Sequence, residues 1–237
     1  MSHLIYLIGR EEMKISFALL CYTESKSLME LLAQLTGDRE YDYEIVVVFD
    51  PSGEEGKSFV TRTILETIQQ THNGDKVKVF ERPLNNHYSD QKNFMTEQCT
   101  GDWIVNPDAD ELFPIYILNN IHLIIEQSDT ECIWLPRINI VEGMTAELAP
   151  RFGQKLDERG WINWPDPQNR IYLNDYPRIH WEKPVHERVV GYKTHSPLPF
   201  DAESAEHFAI KHIKTIDKQV KQNQKYAEID PRYGGAR

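Results

Sequence analysis

The sequence predicts an α/β fold: a three-layer α/β/α sandwich around a mostly parallel sheet. Three observations carry this. Apolar runs of strand length alternate with helical stripes from residue 15 to about residue 139, the rhythm of repeated βαβ units. The strand-like runs are continuous rather than alternating, as expected where both faces of a sheet are covered. A chain of 237 residues that is 40% hydrophobic and 11% aromatic can also bury a substantial core.

Taken in order, ISFALLCY (15–22) is the first apolar run. TESKSLMELLAQL follows, with Leu28, Leu31, Leu32 and Leu35 on one helical face behind Thr and Ser caps. YEIVVVFD (43–50) reads as the second strand, KSFVTRTILETIQQTH as a helix and KVKVFER (76–82) as the third strand. HYSDQKNFMTEQC reads as a helix, DWIVNPD as the fourth strand, PIYILNNIHLIIEQ as a helix and ECIWLPRIN (131–139) as a strand. Beyond residue 140 the pattern loosens into Pro-, Trp-, Arg- and His-rich stretches with short strand-like pieces such as RIYLN and HERVVGY. TIDKQVKQNQKYAEI closes the chain as a polar helix. The expected organisation is one domain over 1–237, with a regular half at 13–139 and a mixed-strand, lid-like half at 140–237.

Composition narrows the function. A net charge of -11 argues against a sequence-independent nucleic-acid binder, although a local basic patch survives an acidic average. It also means that any anionic ligand needs a local positive device. No run approaches 18 apolar residues, so no transmembrane span is expected. The opening MSHLIYLIGREEMK has an apolar run of five and no small-residue cleavage site, so no secretory signal is expected. Three widely spaced cysteines, Cys21, Cys99 and Cys132, fit a reduced, cytoplasmic protein.

Ligands of open α/β sheets bind beyond the carboxyl ends of the strands. Thr23-Glu24, Asp50 and Asp108-Ala109-Asp110 end three of the predicted strands and so share one rim, with helix capping as the competing role for Glu24 or Asp50 alone. PSGEEGKS (51–58) comes close to the phosphate-cradling G-x-x-x-x-G-K-[ST] loop. Pro51 replaces its first glycine, and Glu54 and Glu55 stand where phosphate oxygens belong, so it reads as a turn.

GDWIVNPDADELFP (101–114) places Asp108, Asp110 and Glu111 directly after a buried strand. A calcium EF-hand from Asp108 would need Gly and Glu where Phe113 and Asn119 stand. Residues i and i+2 of an extended segment point the same way, so Asp108 and Asp110 can converge on Mg²⁺ or Mn²⁺ shared with substrate phosphates. A solvated acidic loop is the alternative, and Glu111 has no assigned role.

HWEKPVHERVVG (180–191) lacks the second histidine of the H-E-x-x-H zinc helix. Glu187, beside His186 and within reach of Trp161 and Trp181, can serve as a partly desolvated general base or pair structurally with Arg170 or Arg188. His207 and His212 flank FAIK, and lone histidines are more often structural than ligating. A third ligand for an Asp-bound metal must nevertheless come from far along the chain, and Lys211 and Lys214 beside His212 can neutralise a diphosphate.

With these pieces assembled, the chain resembles the family 2 glycosyltransferases with the A-type, Rossmann-like nucleotide-sugar fold, over residues 13–226. The carriers are CYTES, EIVVVFDPS, RPLNNHYSDQKNF, GDWIVNPDADE, QNRIYLN, W-x-x-P-V-H-E and a late H-x-K-T. The later motifs are similar to a compact subgroup found in bacterial and phage genomes. The resemblance implies inverting transfer of a sugar from a nucleoside-diphosphate donor, a UDP-sugar, with Mn²⁺ or Mg²⁺ as cofactor. It implies Thr23 and Glu24 at the nucleotide, Asp50 at the base, and Lys92 and Asn93 near the donor. Asp108 is expected near the ribose or the metal, and Asp110 on the metal with His212. Arg170, His186 and Lys214 join the donor-binding candidates. The Glu-Asp pair that often supplies the base in relatives is absent; Glu187 is the expected base and Asp166 its reserve.

Two acceptors fit: a saccharide or lipid-linked sugar, or a hydroxymethylated DNA base read by a groove of Arg151, Lys155, Arg159 and Arg170. A nucleotidyltransferase usually needs a Gly-rich basic loop where YTESKS stands. A non-catalytic nucleotide-sugar-binding protein is the remaining rival.

Overall fold

The computed structural model describes residues 13–198 and 204–233. The apolar run at the N-terminus lies outside them. Four parallel strands, β1 (Lys14–Cys21), β2 (Asp42–Phe49), β3 (Val77–Glu81) and β4 (Trp103–Val105), stand in the order β3-β2-β1-β4. Helices α1 (Lys26–Leu35), α2 (Glu55–Gln69) and α3 (Tyr88–Glu97) make the crossovers.

The two faces of the sheet bury different residues of the same strands. Phe17, Leu19, Ile45 and Val47 pack with Leu28, Leu31, Leu32 and Leu35 of α1 and with Ile117 and Ile121 of α4 (Ile115–Glu126). Ala18, Val46, Val48 and Ile104 pack on the other side with Met95 of α3. This is the three-layer arrangement expected from continuous apolar strands. Each fully buried leucine contributes roughly 1.5–3 kcal/mol of transfer free energy, which makes the α1 stripe a main anchor of its layer.

The remaining elements are β5 (Glu111–Leu112), β6 (Cys132–Leu135), β7 (Arg137–Glu142), β8 (Gln168–Leu173), β9 (His180–Glu182), β10 (Arg188–Val190), β11 (His195–Pro197), α5 (Ala205–Phe208), β12 (Ile210–Thr215) and α6 (Ile216–Ile229). The main sheet has seven strands in the order β11-β6-β8-β4-β1-β2-β3. β8 is antiparallel to both β4 and β6, which puts the start of β8 at the carboxyl end of β4.

Two expectations change here. ECIWLPRIN is not one strand. Pro136 has no N–H for a ladder, and the chain divides there: β6 stays in the main sheet while β7 joins a second sheet, β5-β12-β7. DWIVNPD also shortens to Trp103–Val105, and Asn106 beyond it turns its side chain inward to donate to the Ala18 carbonyl at 2.6 Å.

Candidate active site

The small second sheet is what brings distant residues to the rim. β12 runs antiparallel to β5 and parallel to β7, so His212 lies opposite both Glu111 and Asn139. Its exposure alternates: Ile210, His212 and Lys214 are buried, while Lys211, Ile213 and Thr215 face solvent. The period of two selects Lys214 for the site and turns Lys211 away from it.

On the site face, His212 Nε2 lies 3.2 Å from Asp110 Oδ2, and its Nδ1 lies 3.0 Å from Asn139 Oδ1. The Lys218 ammonium reaches the same Asp110 oxygen at 2.7 Å from the first turn of α6. Burial pushes the Asp110 carboxyl up, but the His212 contact and the Lys218 charge outweigh it and hold the group below the usual carboxylate range. Burial lowers Lys214 to about 8. Its ammonium donates to Gln222 Oε1 at 2.9 Å, and Gln222 passes a bond on to the Tyr226 hydroxyl at 3.0 Å.

Glu111 receives its role from the structure. It is 0% exposed, and its carboxylate accepts from Arg170 Nη2 at 2.5 Å, Arg137 Nη1 at 3.0 Å and the Asp108 backbone N–H at 3.1 Å. Arg170 also donates to Asp108, and Arg137 Nε donates to Asp166 at 2.8 Å. Burial opposes the Asp108 charge, yet Arg170 and Lys92 hold its carboxyl below the usual carboxylate range. Glu111 thus clamps the turn that presents Asp108 and Asp110, with two guanidiniums as its counter-charges. Removing one partner of such a buried set strands the others, at a cost of about 3–5 kcal/mol.

Lys92, on α3 and only 3% exposed, sits 4.0 Å above the Trp181 ring and 2.9 Å from Glu187 Oε1, with Asp108 Oδ1 at 3.7 Å. The β9–β10 loop that carries Glu187 is pinned to the start of α3: Tyr88 N donates to the Pro184 carbonyl at 2.9 Å, and Ser89 Oγ to that of Lys183. Glu187 and Asp108 therefore face one buried ammonium. Further along the rim, the Tyr22 N–H fixes Glu24 at 2.6 Å and the Ser52 N–H fixes Asp50 at 2.9 Å. Burial, together with Glu187, Glu24, Asp50 and Asp108, pushes the Tyr88 phenol up, so one hydroxyl senses acids from all three strand ends. Tyr226 of α6 meets both the Tyr88 ring (6.0 Å) and the His186 ring (5.0 Å), and Lys225 lies 4.8 Å from the Tyr22 ring.

The expected residues divide accordingly. Asp108, Asp110, Lys92, Glu187, His212 and Lys214 come together. Asp50 and Glu24 lie on the same rim with Thr23 between Tyr22 and Glu24, and His186 borders the rim through Tyr226. Arg170 is buried and paired with Asp108 and Glu111, while Glu187 pairs with Lys92. Asn93 donates its amide to the Trp181 carbonyl (3.0 Å) and accepts from the Trp181 N–H (2.8 Å), tying α3 to β9. Asp166 is paired with Arg137 at 2.8 Å. Of the basic residues a DNA groove would use, Arg170 is buried while Arg151, Lys155 and Arg159 are exposed, with Arg159 paired to Asp157 at 2.9 Å and stacked 3.8 Å above the Trp161 ring. Glu111, Arg137, Asn139, Lys218 and Tyr226 were missed. The alternation in IKHIKT was the available signal for the strand that delivers His212 and Lys214.

Among the described residues no three His, Cys, Asp or Glu side chains group closely enough to hold a metal alone. Mg²⁺-type sites, however, typically use one or two carboxylates and complete their shell with phosphate oxygens and water. Asp110 and His212 fit that role. His212 contacts Asn139 through Nδ1 and Asp110 through Nε2, and the imidazole tautomer decides which nitrogen donates.

A parallel sheet whose carboxyl rim gathers acids, lysines and a strand-borne histidine is the build of a nucleotide-binding α/β protein. The chain belongs to glycosyl transferase family 2, whose model matches residues 16–174. A search of curated proteins finds no match. Among solved structures, S. aureus TarS 1-349 in complex with UDP-GlcNAc superimposes with a TM-score of 0.59 at 16% identity, over 93% of this chain and 65% of that one. The same fragment with UDP gives 0.56 at 16% identity over 92% and 65%. A longer S. aureus TarS structure gives 0.54 at 17% identity over 93% and 39%. The chain therefore spans less than two thirds of these relatives, and the likeness is one of fold. No helix among the described residues is long and apolar enough to cross a membrane.

Proposed function

We propose that the protein transfers a sugar from a nucleoside-diphosphate donor, a UDP-sugar, to the hydroxyl of a saccharide or lipid-linked acceptor, with inversion. The observation that carries this is the Asp108-Ala109-Asp110 turn, held by Glu111 at the carboxyl end of β4 with Asp110 against His212 and Asp108 sharing Lys92 with Glu187. Family membership supports the reaction class, and the UDP and UDP-GlcNAc complexes of TarS support the choice of donor.

Glu24, Asp50 and Tyr88 line the nucleotide end of the cleft. Mn²⁺ or Mg²⁺ bound at Asp110 and His212 would offset the charge gained by the departing diphosphate. Lys214 adds a cation on the same strand face. Glu187, 2.9 Å from the Lys92 ammonium, accepts the proton of the acceptor hydroxyl as that oxygen attacks. Asp166, spent on Arg137, holds the Glu111 cluster in place. Helix α6 covers the cleft and limits hydrolysis of the donor by water.

The test is release of UDP from a panel of UDP-sugars with and without Mn²⁺. Release is expected to need the metal, to disappear in Asp110→Ala, and to reveal the sugar by its rate. Undiminished turnover in Asp110→Ala would overturn the proposal.

A further inference from the structure

Helix α6 is attached to the molecule in an unusual way. Of its residues only Gln219 is buried, so it is held by polar contacts and rings rather than by a core. Those contacts run along the carboxyl rim of the sheet. Lys218 is bound to Asp110, Gln222 to Lys214, Lys225 lies over Tyr22 and Tyr226 lies against Tyr88 and His186. From Lys218 to Lys225 the helix rises about 10 Å, roughly the reach from a diphosphate to its nucleoside. A helix with so little apolar burial is a low-stability unit that can shift without unfolding the domain.

The contact at its first turn has a consequence for the proposed donor site. Lys218 Nζ sits 2.7 Å from the same Asp110 oxygen that faces His212. An ammonium there competes directly with any divalent cation. Its own side chain is 49% exposed, so it has room to turn, whereas Asp110 is 19% exposed and His212 is fixed by Asn139.

We infer that Lys218 is a mobile donor-binding residue: it holds the cation position on Asp110 until a divalent cation arrives with the donor, and then pairs with a diphosphate oxygen. The inference rests on the donor reading above. Lys218 thereby keeps Asp110 neutralised in the empty protein, and its transfer draws α6 against the nucleotide end through Lys225 and Tyr226. Thr215, whose hydroxyl accepts from Lys218 N at 3.3 Å, caps the helix and sets the position from which the side chain swings.

The test is Mn²⁺ binding to the whole chain without nucleotide, followed by UDP titration at saturating Mn²⁺, in the wild type, Lys218→Met and Lys218→Arg. Removing the competing ammonium is expected to tighten Mn²⁺ roughly fivefold in Lys218→Met. The same variant is expected to weaken UDP roughly tenfold through the lost charged contact. Lys218→Arg is expected to keep both affinities close to wild type. The opposite signs separate this role from a structural one, which would weaken both ligands or neither. Mn²⁺ affinity that is unchanged or weaker in Lys218→Met, or UDP affinity that does not fall, overturns the inference. If wild-type UDP binding still needs Mn²⁺ and Asp110, the donor reading survives that outcome.

Discussion

The two ends of the central sheet both carry buried acids, and they handle them differently. At the amino end, Glu44 accepts from Ser16 Oγ at 2.7 Å, the Thr100 N–H at 2.5 Å, Thr100 Oγ1 at 3.0 Å and Lys78 at 2.6 Å. These partners tie β2 to β1, β3 and the turn before β4, and leave the carboxylate nothing to offer a ligand. At the carboxyl end, Asp110 and Glu187 are met by the ammonium groups of lysines, and Asp110 also by an imidazole. A phosphate or a metal ion can compete for such partners. Glu111 stands between the two modes: it lies at the functional end yet is saturated like Glu44, and it keeps the exchangeable acids in place. One sheet thus separates fastening from function by the kind of partner it gives each acid.

Substitutions at the two ends sharpen this contrast. The largest effect is expected from Glu187→Gln, which should lower kcat by about 10²–10⁴ while leaving UDP affinity within about twofold. Normal turnover in that variant would move the base elsewhere. Glu111→Ala leaves Arg170 and Arg137 without their shared buried counter-charge and should cost about 3–5 kcal/mol in urea unfolding. A loss below about 1 kcal/mol would make Glu111 a replaceable member of the cluster.

The amino end gives a smaller, pH-dependent signal. Burial opposes the Glu44 charge, but its hydrogen bonds and Lys78 hold its pKa at about 2, below the unfolded value near 4.3. The folded pKa is depressed, so the stabilisation is present above about pH 4.3 and is lost as pH falls towards 2. Stability measured across that window should fall less steeply in Glu44→Gln than in the wild type, by on the order of 2–3 kcal/mol in total. Equal slopes would show that Glu44 is not a main source of acid sensitivity. UDP affinity at neutral pH should be unaffected by the change, since the residue lies at the other end of the sheet.

Much of the functional end was legible in the sequence for a physical reason. Asp50 and Asp108 directly follow continuous apolar runs, and the carboxyl ends of parallel strands form one rim whatever the tertiary details. The leucine stripe of α1 was equally plain, because a period of 3.6 residues is a local property. What escaped was non-local. His212 meets Asp110 because β12 pairs with β5 and β7 in one particular register, and nothing within IKHIKT specifies those neighbours. Glu111 looked like a spare acid, since its two arginines lie far along the chain on strands β7 and β8. Arg170 and Asn93 carried the residue types of ligand-binding groups, and their contacts with Asp108, Glu111 and the Trp181 backbone are non-local as well. Pro136 separates the strand of the main sheet from the strand that supports His212, a division that the apolar run around it does not signal.

The account turns on Asp110 holding a cation that in turn holds a diphosphate. Calorimetric titration of UDP into the wild type and Asp110→Ala, each with and without Mn²⁺, tests this most directly. The expected result is binding that requires Mn²⁺ in the wild type and is absent from Asp110→Ala in either condition. UDP binding of equal strength in the two proteins would contradict it.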